Sequence, residues 1–289
     1  MRQFATGEIV LSIGFSPCPN DTYIFDALVN GKIDTGNLRF EPLLEDVEQL
    51  NRLALEGELD ITKLSFRAYA ECSNSYVLCD AGSALGFGVG PLVVTGEQSL
   101  KTLTKEHKVA IPGNHTTANF LFRMFYPQVT TFRELLFSDI EDAVVNGTVD
   151  AGVIIHENRF TYTQKGLFKV VDLGALWESE TSQPIPLGGI AAKRQLSSDL
   201  LRKVNQLIYD SLVFANAHPA GTDAYVAMHA QAMDDHVRKQ HIALYVNDYS
   251  LDFGDGGRKA VRFFYDKAIS AGVITNKLAT PLFVSELED

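Results

Sequence analysis

The sequence predicts an α/β fold made of two similar lobes. Short apolar runs rich in β-branched residues alternate with helical patterns of roughly 8 to 15 residues, as in folds that join strands by helices. At roughly 150 residues per domain, 289 residues correspond to about two domains. Residues 48–65 and 139–156 also resemble each other, because each runs helix, glycine, apolar residue, aspartate and strand. The matching positions are Gly57 with Gly147 and Asp60 with Asp150, at a constant offset of 90.

The individual elements follow from local patterns. Val47, Leu50 and Leu53 recur at helical spacing and Gly57 is a typical helix end, which predicts a helix over 46–56. The first part of the chain also contains predicted strands at 9–15, 38–44 and 59–65 and a helix at 22–29. The remainder contains predicted strands at 89–94, 108–111, 132–137 and 149–155, and helices at 118–126, 140–145, 200–217, 225–229 and 257–271. Alternation of this kind predicts largely parallel sheets.

The division into lobes rests on two segments that could act as hinges. Low-complexity linkers are absent, so short strands are expected to join the lobes. The candidates are GFGVGP at 86–91 and PIPLGG at 184–189. We expect residues 1–91 and 190–289 to form a larger lobe and 92–189 a smaller one. The similarity between 48–65 and 139–156 fits a duplication of the lobe, although any helix–glycine–strand unit shows the same pattern.

Charge and composition exclude several classes of partner. The chain has 25 Lys plus Arg and 36 Asp plus Glu, a net charge of −11, and no basic run. This argues against nucleic acid and against an anionic membrane, both of which favour a basic face. A small anion in a local site is compatible with an acidic protein. The expected partner is a small-molecule substrate, and the sequence does not determine the oligomeric state.

The cysteines and the N-terminal segment indicate a cytoplasmic protein. Cys18, Cys72 and Cys79 are odd in number and lack C-x-x-C spacing, which argues against a disulfide framework or a zinc ribbon. A bridge between Cys72 and Cys79 is an alternative, but free thiols are the preferred interpretation. The first residues lack the apolar core of a secretory signal, and no window reaches the roughly 18 apolar residues of a membrane span.

Ligands of open α/β sheets bind beyond the carboxyl ends of the strands or between domains, so the residues at those ends are the candidates. His156 directly follows the apolar run Val153–Ile155 and emerges from a buried strand. Its unperturbed pKa of about 6.5 suits a general base near neutral pH. A structural histidine at a strand end is the alternative.

A second candidate is the pair Thr116 and Thr117, which opens a helix after a glycine-containing loop. Helix N-termini offer unpaired N–H groups and partial positive charge, which suit a carboxylate or phosphate. One threonine acting only as a helix cap is the alternative. The lysine of a P-loop is absent, so a nucleotide-phosphate loop of that type is excluded.

Further polar residues are weaker candidates. Asn20 and Asp21 precede the first helix, where capping explains them equally well. His115 lies in the threonine loop and could contact a ligand or simply face solvent. Cys18 could be a nucleophile, but no nearby residue in the sequence supplies its base. His229, His236 and His241 form no metal or catalytic motif.

Several blocks together resemble one family, the 1,4-dihydroxy-6-naphthoate synthases of the futalosine pathway of menaquinone biosynthesis. The resemblance covers nearly the whole chain. The blocks are SPCPNDT at 16–22, LEDVEQLNRLALEG at 44–57, TKLSFRAYA at 62–70, GVGPLVV at 88–94, IPGNHTTA at 111–118, AGVIIHENRFTY at 151–162, VVDLGALWE at 170–178 and YVNDYSLDFGDGG at 245–257. Asn158 stands where the family pattern H-E-S-R-F has serine.

This resemblance implies a periplasmic-binding-protein-like (type II) fold, with two α/β lobes around a ligand cleft. It implies a lyase that converts cyclic dehypoxanthinyl futalosine to 1,4-dihydroxy-6-naphthoate and releases a dihydroxyacetone fragment, without a metal or organic cofactor. The proton acceptor it implies is His156. The substrate-binding residues it implies are Lys63, Leu64, Ser65, Thr116 and Thr117.

Two other functions are compatible with the sequence. The implied fold is shared with solute receptors, so the protein could bind a small anion without catalysis. The missing signal sequence and His156 argue against this. The second alternative is chorismate dehydratase, an enzyme of the same pathway with a similar fold. The SPCPNDT opening and the I-I-H-E block argue against it.

Overall fold

The computed structural model describes residues 1–3, 7–230 and 234–288. Its strands are β1 Arg2–Gln3, β2 Ile9–Phe15, β3 Leu38–Leu44, β4 Ile61–Ser65, β5 Tyr76–Leu78, β6 Ala84–Gly86, β7 Leu92–Thr95, β8 Lys108–Ile111, β9 Thr131–Glu134, β10 Ala151–Ile154, β11 Phe168–Asp172 and β12 Ile185–Lys193. Its helices are α1 Pro19–Val29, α2 Val47–Glu56, α3 Phe66–Cys72, α4 Thr117–Phe125, α5 Ile140–Val145, α6 Asn158–Thr161, α7 Leu173–Thr181, α8 Ser198–Ala217, α9 Pro219–His229, α10 Asp235–Tyr245, α11 Asp248–Leu251 and α12 Gly254–Ser270.

The strands form two sheets. In the larger sheet the order is β1-β2-β4-β12-β5, with β3 paired to β2 and β6 paired to β12; in the smaller sheet it is β11-β7-β10-β8-β9. The β2–β3, β2–β4, β8–β9 and β8–β10 pairs are parallel, and the remaining pairs are antiparallel. The expectation of largely parallel sheets is therefore wrong. Strands β7, β11 and β12 run against their neighbours, and local sequence patterns carry no signal for strand direction.

Most predicted elements are present, with small differences at their ends. The strands at 9–15, 38–44 and 108–111 and the helix at 140–145 have the predicted limits. Helix α1 begins at Pro19, three residues before the predicted start, because proline fits the first turn of a helix. The strand predicted at 132–137 is the shorter β9, followed by a 3₁₀ turn at Phe137–Asp139. The unpredicted elements include α3, β5, β11, α7 and α10, and the hinge strand predicted at 184–189 is the longer β12.

The two hinge candidates lie beside each other in the larger sheet. Strand β6 pairs antiparallel with the first half of β12, with Gly86 opposite Ile185 and Ala84 opposite Gly188. After β6 the chain enters the smaller sheet through β7, and β12 returns it to the larger sheet. The lobe limits stay a prediction. Because all of β12 pairs with strands of the larger sheet, we propose that the smaller lobe ends before Ile185.

The two similar sequence segments form similar units. In each, a helix ends near a glycine in the left-handed region, Gly57 at φ 71° and Gly147 at φ 66°, and a strand follows. The aspartates also act alike. Asp60 accepts a hydrogen bond from the Ser12 backbone N–H at 3.1 Å, and Asp150 accepts one from the Lys108 backbone N–H at 2.7 Å. Each unit is thereby attached to the strand beside it, at the middle of β2 and at the first residue of β8.

The core holds the segment that follows β2 in place. Phe15 at the end of β2 stacks on Phe25 of α1 with ring centroids 4.7 Å apart. Ile208 and Leu212 of α8 belong to the same buried cluster. Full burial of each such side chain contributes about 1.5–3 kcal/mol. The start of α1 is therefore anchored from both sides. Within the described ranges, no helix is both long and apolar enough to cross a membrane.

Candidate active site

A cavity lies where the carboxyl ends of β2, β4, β8 and β10 come together. These strands belong to both sheets, so the cavity lies between the sheets. Its walls are formed by Ser16, Asn20, Asp21, Val47, Lys63, Ser65, Ala84, Val89, Pro91, Thr116, Thr117, Ala118, Ile155, His156, Leu187, Gly188 and Tyr245. The location agrees with the rule that ligands bind beyond the carboxyl ends of strands.

The structure brings most predicted site residues together and separates two of them. Those at the cavity are Asn20, Asp21, Lys63, Ser65, Thr116, Thr117 and His156. Leu64 does not line it, because neighbours in a strand face opposite sides, and its side chain lies in the hydrophobic core. His115 does not line it either. Its Nδ1 donates a hydrogen bond to Glu48 Oε1 at 2.7 Å.

His156 has a backbone conformation that side chains rarely adopt. It lies two residues after the end of β10 at Ile154 and has φ 56°, in the left-handed region. Such residues cost of order 1–3 kcal/mol and persist only where their surroundings hold them. The ring lies beside Phe137, with centroids 5.0 Å apart, and parallel to His241 within 5°. The strained backbone turns this side chain out of the strand and towards the cavity.

Burial lowers the pKa of His156 to about 4, although the negative charge of Asp21 acts in the opposite direction. The positive charge of Lys63 adds to the lowering. At neutral pH the imidazole is therefore uncharged and has a nitrogen lone pair that can accept a proton. The Asp21 carboxylate favours the imidazolium that would form on accepting it.

A buried ion pair also lines the cavity. Lys63 Nζ lies 3.0 Å from Asp21 Oδ1, and both side chains are almost completely buried. Asp21 Oδ2 accepts hydrogen bonds from the Ser16 backbone N–H at 3.1 Å and the Ser16 hydroxyl at 2.7 Å. Lys63 also donates to the Gly82 carbonyl at 3.3 Å. Because buried charges need such partners, this arrangement fixes both side chains.

A histidine that sequence reasoning missed extends this network. Asn20 Nδ2 donates to Asp21 Oδ1 at 2.8 Å, which leaves Asn20 Oδ1 as an acceptor. His241 Nε2 donates to that oxygen at 2.9 Å. Burial lowers the pKa of His241 well below its ordinary value, so the ring is neutral. His241 and Tyr245 are four residues apart on α10, a helical spacing that was the only sequence signal for this face.

Helix α4 directs its N-terminus at the cavity. Thr116 caps the helix, because its hydroxyl oxygen accepts a hydrogen bond from the Asn119 N–H at 3.1 Å. The Thr117 hydroxyl donates to the Leu187 carbonyl at 2.8 Å. Among the described residues, the backbone N–H groups of Thr117 and Ala118 have no protein acceptor. They are available to an anionic ligand group, as is usual for the first residues of a helix.

The rest of the wall suits a flat apolar ligand. The apolar wall residues are Val47, Ala84, Val89, Pro91, Ile155, Leu187 and Tyr245. Gly188 faces the strand end at Ser65, and a Cβ there would lie 2.9 Å from the Leu64 carbonyl oxygen. The Ser65 N–H and hydroxyl are held by the Asn51 side chain at 2.8 and 3.2 Å. Apolar walls with a few fixed polar groups are typical of small-molecule sites.

Further contacts join the two parts of the molecule beside the cavity. Glu48 of α2 accepts hydrogen bonds from both the backbone N–H and the ring of His115, which precedes α4. Arg52, one helical turn further along α2, forms an ion pair with Glu134 of β9. These contacts join an element of the larger sheet to elements of the smaller one.

The cysteines are free, so the alternative of a Cys72–Cys79 bridge is wrong. Cys18 is buried behind the site, and burial together with the charge of Glu157 raises the pKa of its thiol well above the ordinary value. A protonated thiol is a weak nucleophile, so the chemistry points to His156 rather than Cys18.

The chain is similar to known proteins over most of its length. A family model described as menaquinone biosynthesis matches residues 11–270. The chain is 47% identical over 276 residues to a 1,4-dihydroxy-6-naphthoate synthase of Thermus thermophilus, covering 95% of this chain and 99% of that one. It is 39% identical over 269 residues to the synthase of Streptomyces coelicolor, covering 91% and 94% of the two chains.

Two solved structures are similar to the whole chain. A protein of Archaeoglobus fulgidus matches with a TM-score of 0.87 and 32% identity, covering 92% of this chain and 98% of that one. The alkanesulfonate-binding protein of Xanthomonas axonopodis pv. citri matches with a TM-score of 0.68 and 13% identity, covering 98% and 99% of the two chains. The second similarity shows that the fold is periplasmic-binding-protein-like. The chain therefore belongs to the menaquinone-biosynthesis family, and the curated relatives that it matches are named 1,4-dihydroxy-6-naphthoate synthases.

Proposed function

We propose that this protein is a lyase that converts cyclic dehypoxanthinyl futalosine into 1,4-dihydroxy-6-naphthoate and a dihydroxyacetone fragment. The observation that carries the proposal is the position of His156. Its neutral ring lines the same apolar cavity as the N-terminus of α4, where two backbone N–H groups have no protein acceptor among the described residues. A base and an anion site in one cavity suit an aromatic carboxylate substrate.

The wall residues suggest how the substrate is held. The product is a naphthoate, so its flat ring system fits between the apolar side chains and its carboxylate can accept hydrogen bonds from the Thr117 and Ala118 N–H groups. Ser65 and the buried Lys63–Asp21 pair supply further polar groups to the cavity. Fixed partners of this kind would hold the reacting carbon near His156.

The reaction would begin with proton transfer to His156. The imidazole lone pair takes a carbon-bound proton, and the electron pair of that C–H bond moves into the ring system. The resulting anion expels the sugar-derived fragment with the electron pair of the broken carbon–carbon bond, and the fragment takes the proton back from the imidazolium. Aromatisation makes this release favourable. The negative charge of Asp21 stabilises the imidazolium that forms. A general base held in reach contributes about 10²- to 10⁴-fold to the rate.

Turnover of the substrate by purified protein tests this proposal, with naphthoate formation read by mass spectrometry. We expect His156→Ala to lower kcat by about 10²- to 10⁴-fold with a modest change in KM, because the base acts mainly in the transition state. His236→Ala, at an exposed histidine, is the matched control.

Three other outcomes of these assays would contradict parts of the proposal. Equal turnover by His156→Ala and the wild type would remove His156 as the base. Saturable binding without product from the wild type would support a non-catalytic small-anion binding protein. Conversion of chorismate in the same assay would support a dehydratase instead.

A further inference from the structure

Three potential metal-ligand atoms meet at the back of the site. The Cys18 sulfur, a ring nitrogen of His156 and a carboxylate oxygen of Glu157 all lie within 4.8 Å of one another. Cys18 immediately precedes α1, whereas His156 and Glu157 follow β10. Only the packing of the two sheets brings them together. The proposed reaction uses one of the three, His156, and leaves the thiol and the Glu157 carboxylate without a role.

Glu157 supplies a second observation that points to a cation. Among the described residues, its buried Oε2 atom has no hydrogen-bond partner. An unsatisfied buried carboxylate oxygen is costly, and a bound cation is one way to satisfy it.

The donor set selects a class of cation. One sulfur, one nitrogen and one oxygen suit Zn²⁺ and similar thiophilic divalent ions, whereas Mg²⁺ and Ca²⁺ prefer oxygen alone. At zinc–ligand distances of about 2.0–2.3 Å, tetrahedral ligands lie roughly 3.3–3.8 Å apart. Side-chain rotations that bring the three atoms closer by about 1 Å would complete such a site.

We propose that Cys18, His156 and Glu157 form an inhibitory site for a zinc-like divalent cation, with water as the fourth ligand. On binding, the Cys18 thiol loses its proton to solvent, and its sulfur and the His156 nitrogen donate lone pairs to the metal. The imidazole can then no longer accept a proton from substrate, so a bound ion stops turnover reversibly. The inhibition rests on the proposed function, but the binding of the ion does not.

Metal binding is tested without substrate. Purified full-length protein is titrated with Zn²⁺ by calorimetry and with Co²⁺ by absorbance, where a thiolate ligand produces a sulfur-to-cobalt charge-transfer band. We expect one ion per chain and a charge-transfer band that Cys18→Ser abolishes. Cys18→Ser and Glu157→Gln should each weaken Zn²⁺ binding by roughly 100-fold or more, since even outer-shell partners cost about 10- to 100-fold. Cys72→Ser, at another buried free thiol, is the matched control and should keep both signals.

Inhibition is then measured relative to the metal-free activity of each variant. Zn²⁺ should inhibit the wild type and Cys72→Ser reversibly, with activity restored by a chelator, and should inhibit Cys18→Ser only at much higher concentration. Unchanged Zn²⁺ affinity in Cys18→Ser or Glu157→Gln would overturn the site. Absence of the charge-transfer band in the wild type would do so as well. If no variant turns over substrate, the proposed function fails while the titrations still decide the metal site.

Discussion

The two helix–glycine–strand units, α2 to β4 and α5 to β10, are alike until their strands end at the cavity. At the offset of 90 residues that relates them, His156 corresponds to Phe66. Phe66 continues directly into α3 and is completely buried. His156 instead has φ 56° and lines the cavity.

The polar groups of the two units are stabilised in different ways. In the first unit, Lys63 forms an ion pair with Asp21, and both carboxylate oxygens of Asp21 accept hydrogen bonds. In the second, His156 is kept neutral by burial and directed by a strained backbone. The regular strand β4 therefore holds Lys63 in an ion pair. The strained backbone after β10 instead presents the neutral base His156.

The largest expected effect on stability concerns the buried ion pair of Lys63 and Asp21. Lys63→Met leaves Asp21 buried without its cation and should lower the free energy of unfolding by about 3–5 kcal/mol, measured by chemical denaturation. The double variant Lys63→Met/Asp21→Asn should recover much of that loss, because no unpaired charge remains. Lys169→Met, at an exposed lysine of β11, is the control. A loss below about 1 kcal/mol for Lys63→Met, the range of surface pairs, would show that solvent reaches the pair.

A second prediction concerns the protonation of His156. Because burial lowers its pKa to about 4, the catalytically competent neutral form persists from neutral pH down to about pH 5. We expect kcat/KM to stay level across that range and to fall about tenfold per pH unit only below about pH 4. A rate profile or an NMR titration of the His156 ring would check this. A midpoint near the ordinary histidine value of about 6.5 would contradict the burial of the ring.

The smallest expected effect on stability concerns the backbone strain at His156. Glycine tolerates the left-handed region, so His156→Gly should be more stable to denaturant than His156→Ala by about 1 kcal/mol. At Ser65, which has φ −70°, the order should reverse, and Ser65→Ala should be more stable than Ser65→Gly. The same order at both positions would mean that His156 relaxes out of its strained conformation.

Many residues that line the cavity could be predicted from the sequence, because the end of a strand is a local feature of the chain. The run Val153–Ile155 identified His156, and the glycine-containing loop identified Thr116 and Thr117. The place of His241 in the site could not be predicted from the sequence, because its partner Asn20 is 221 residues away along the chain. His115 was placed at the cavity because its loop lies there, but the contact with Glu48 directs its ring elsewhere.

The sequence by itself determined where most strands and helices form, through their hydrophobic periodicity. It also determined the glycine after each of the two similar helices and the polar residues at the strand ends. These depend on interactions between near neighbours in the chain, which local patterns record. Tertiary structure alone decided the antiparallel insertion of β12 and the pairing of Lys63 with Asp21. It also decided the left-handed conformation of His156 and the proximity of Cys18 to Glu157. These features depend on which distant segments pack together, and burial there sets the charge and geometry of each group.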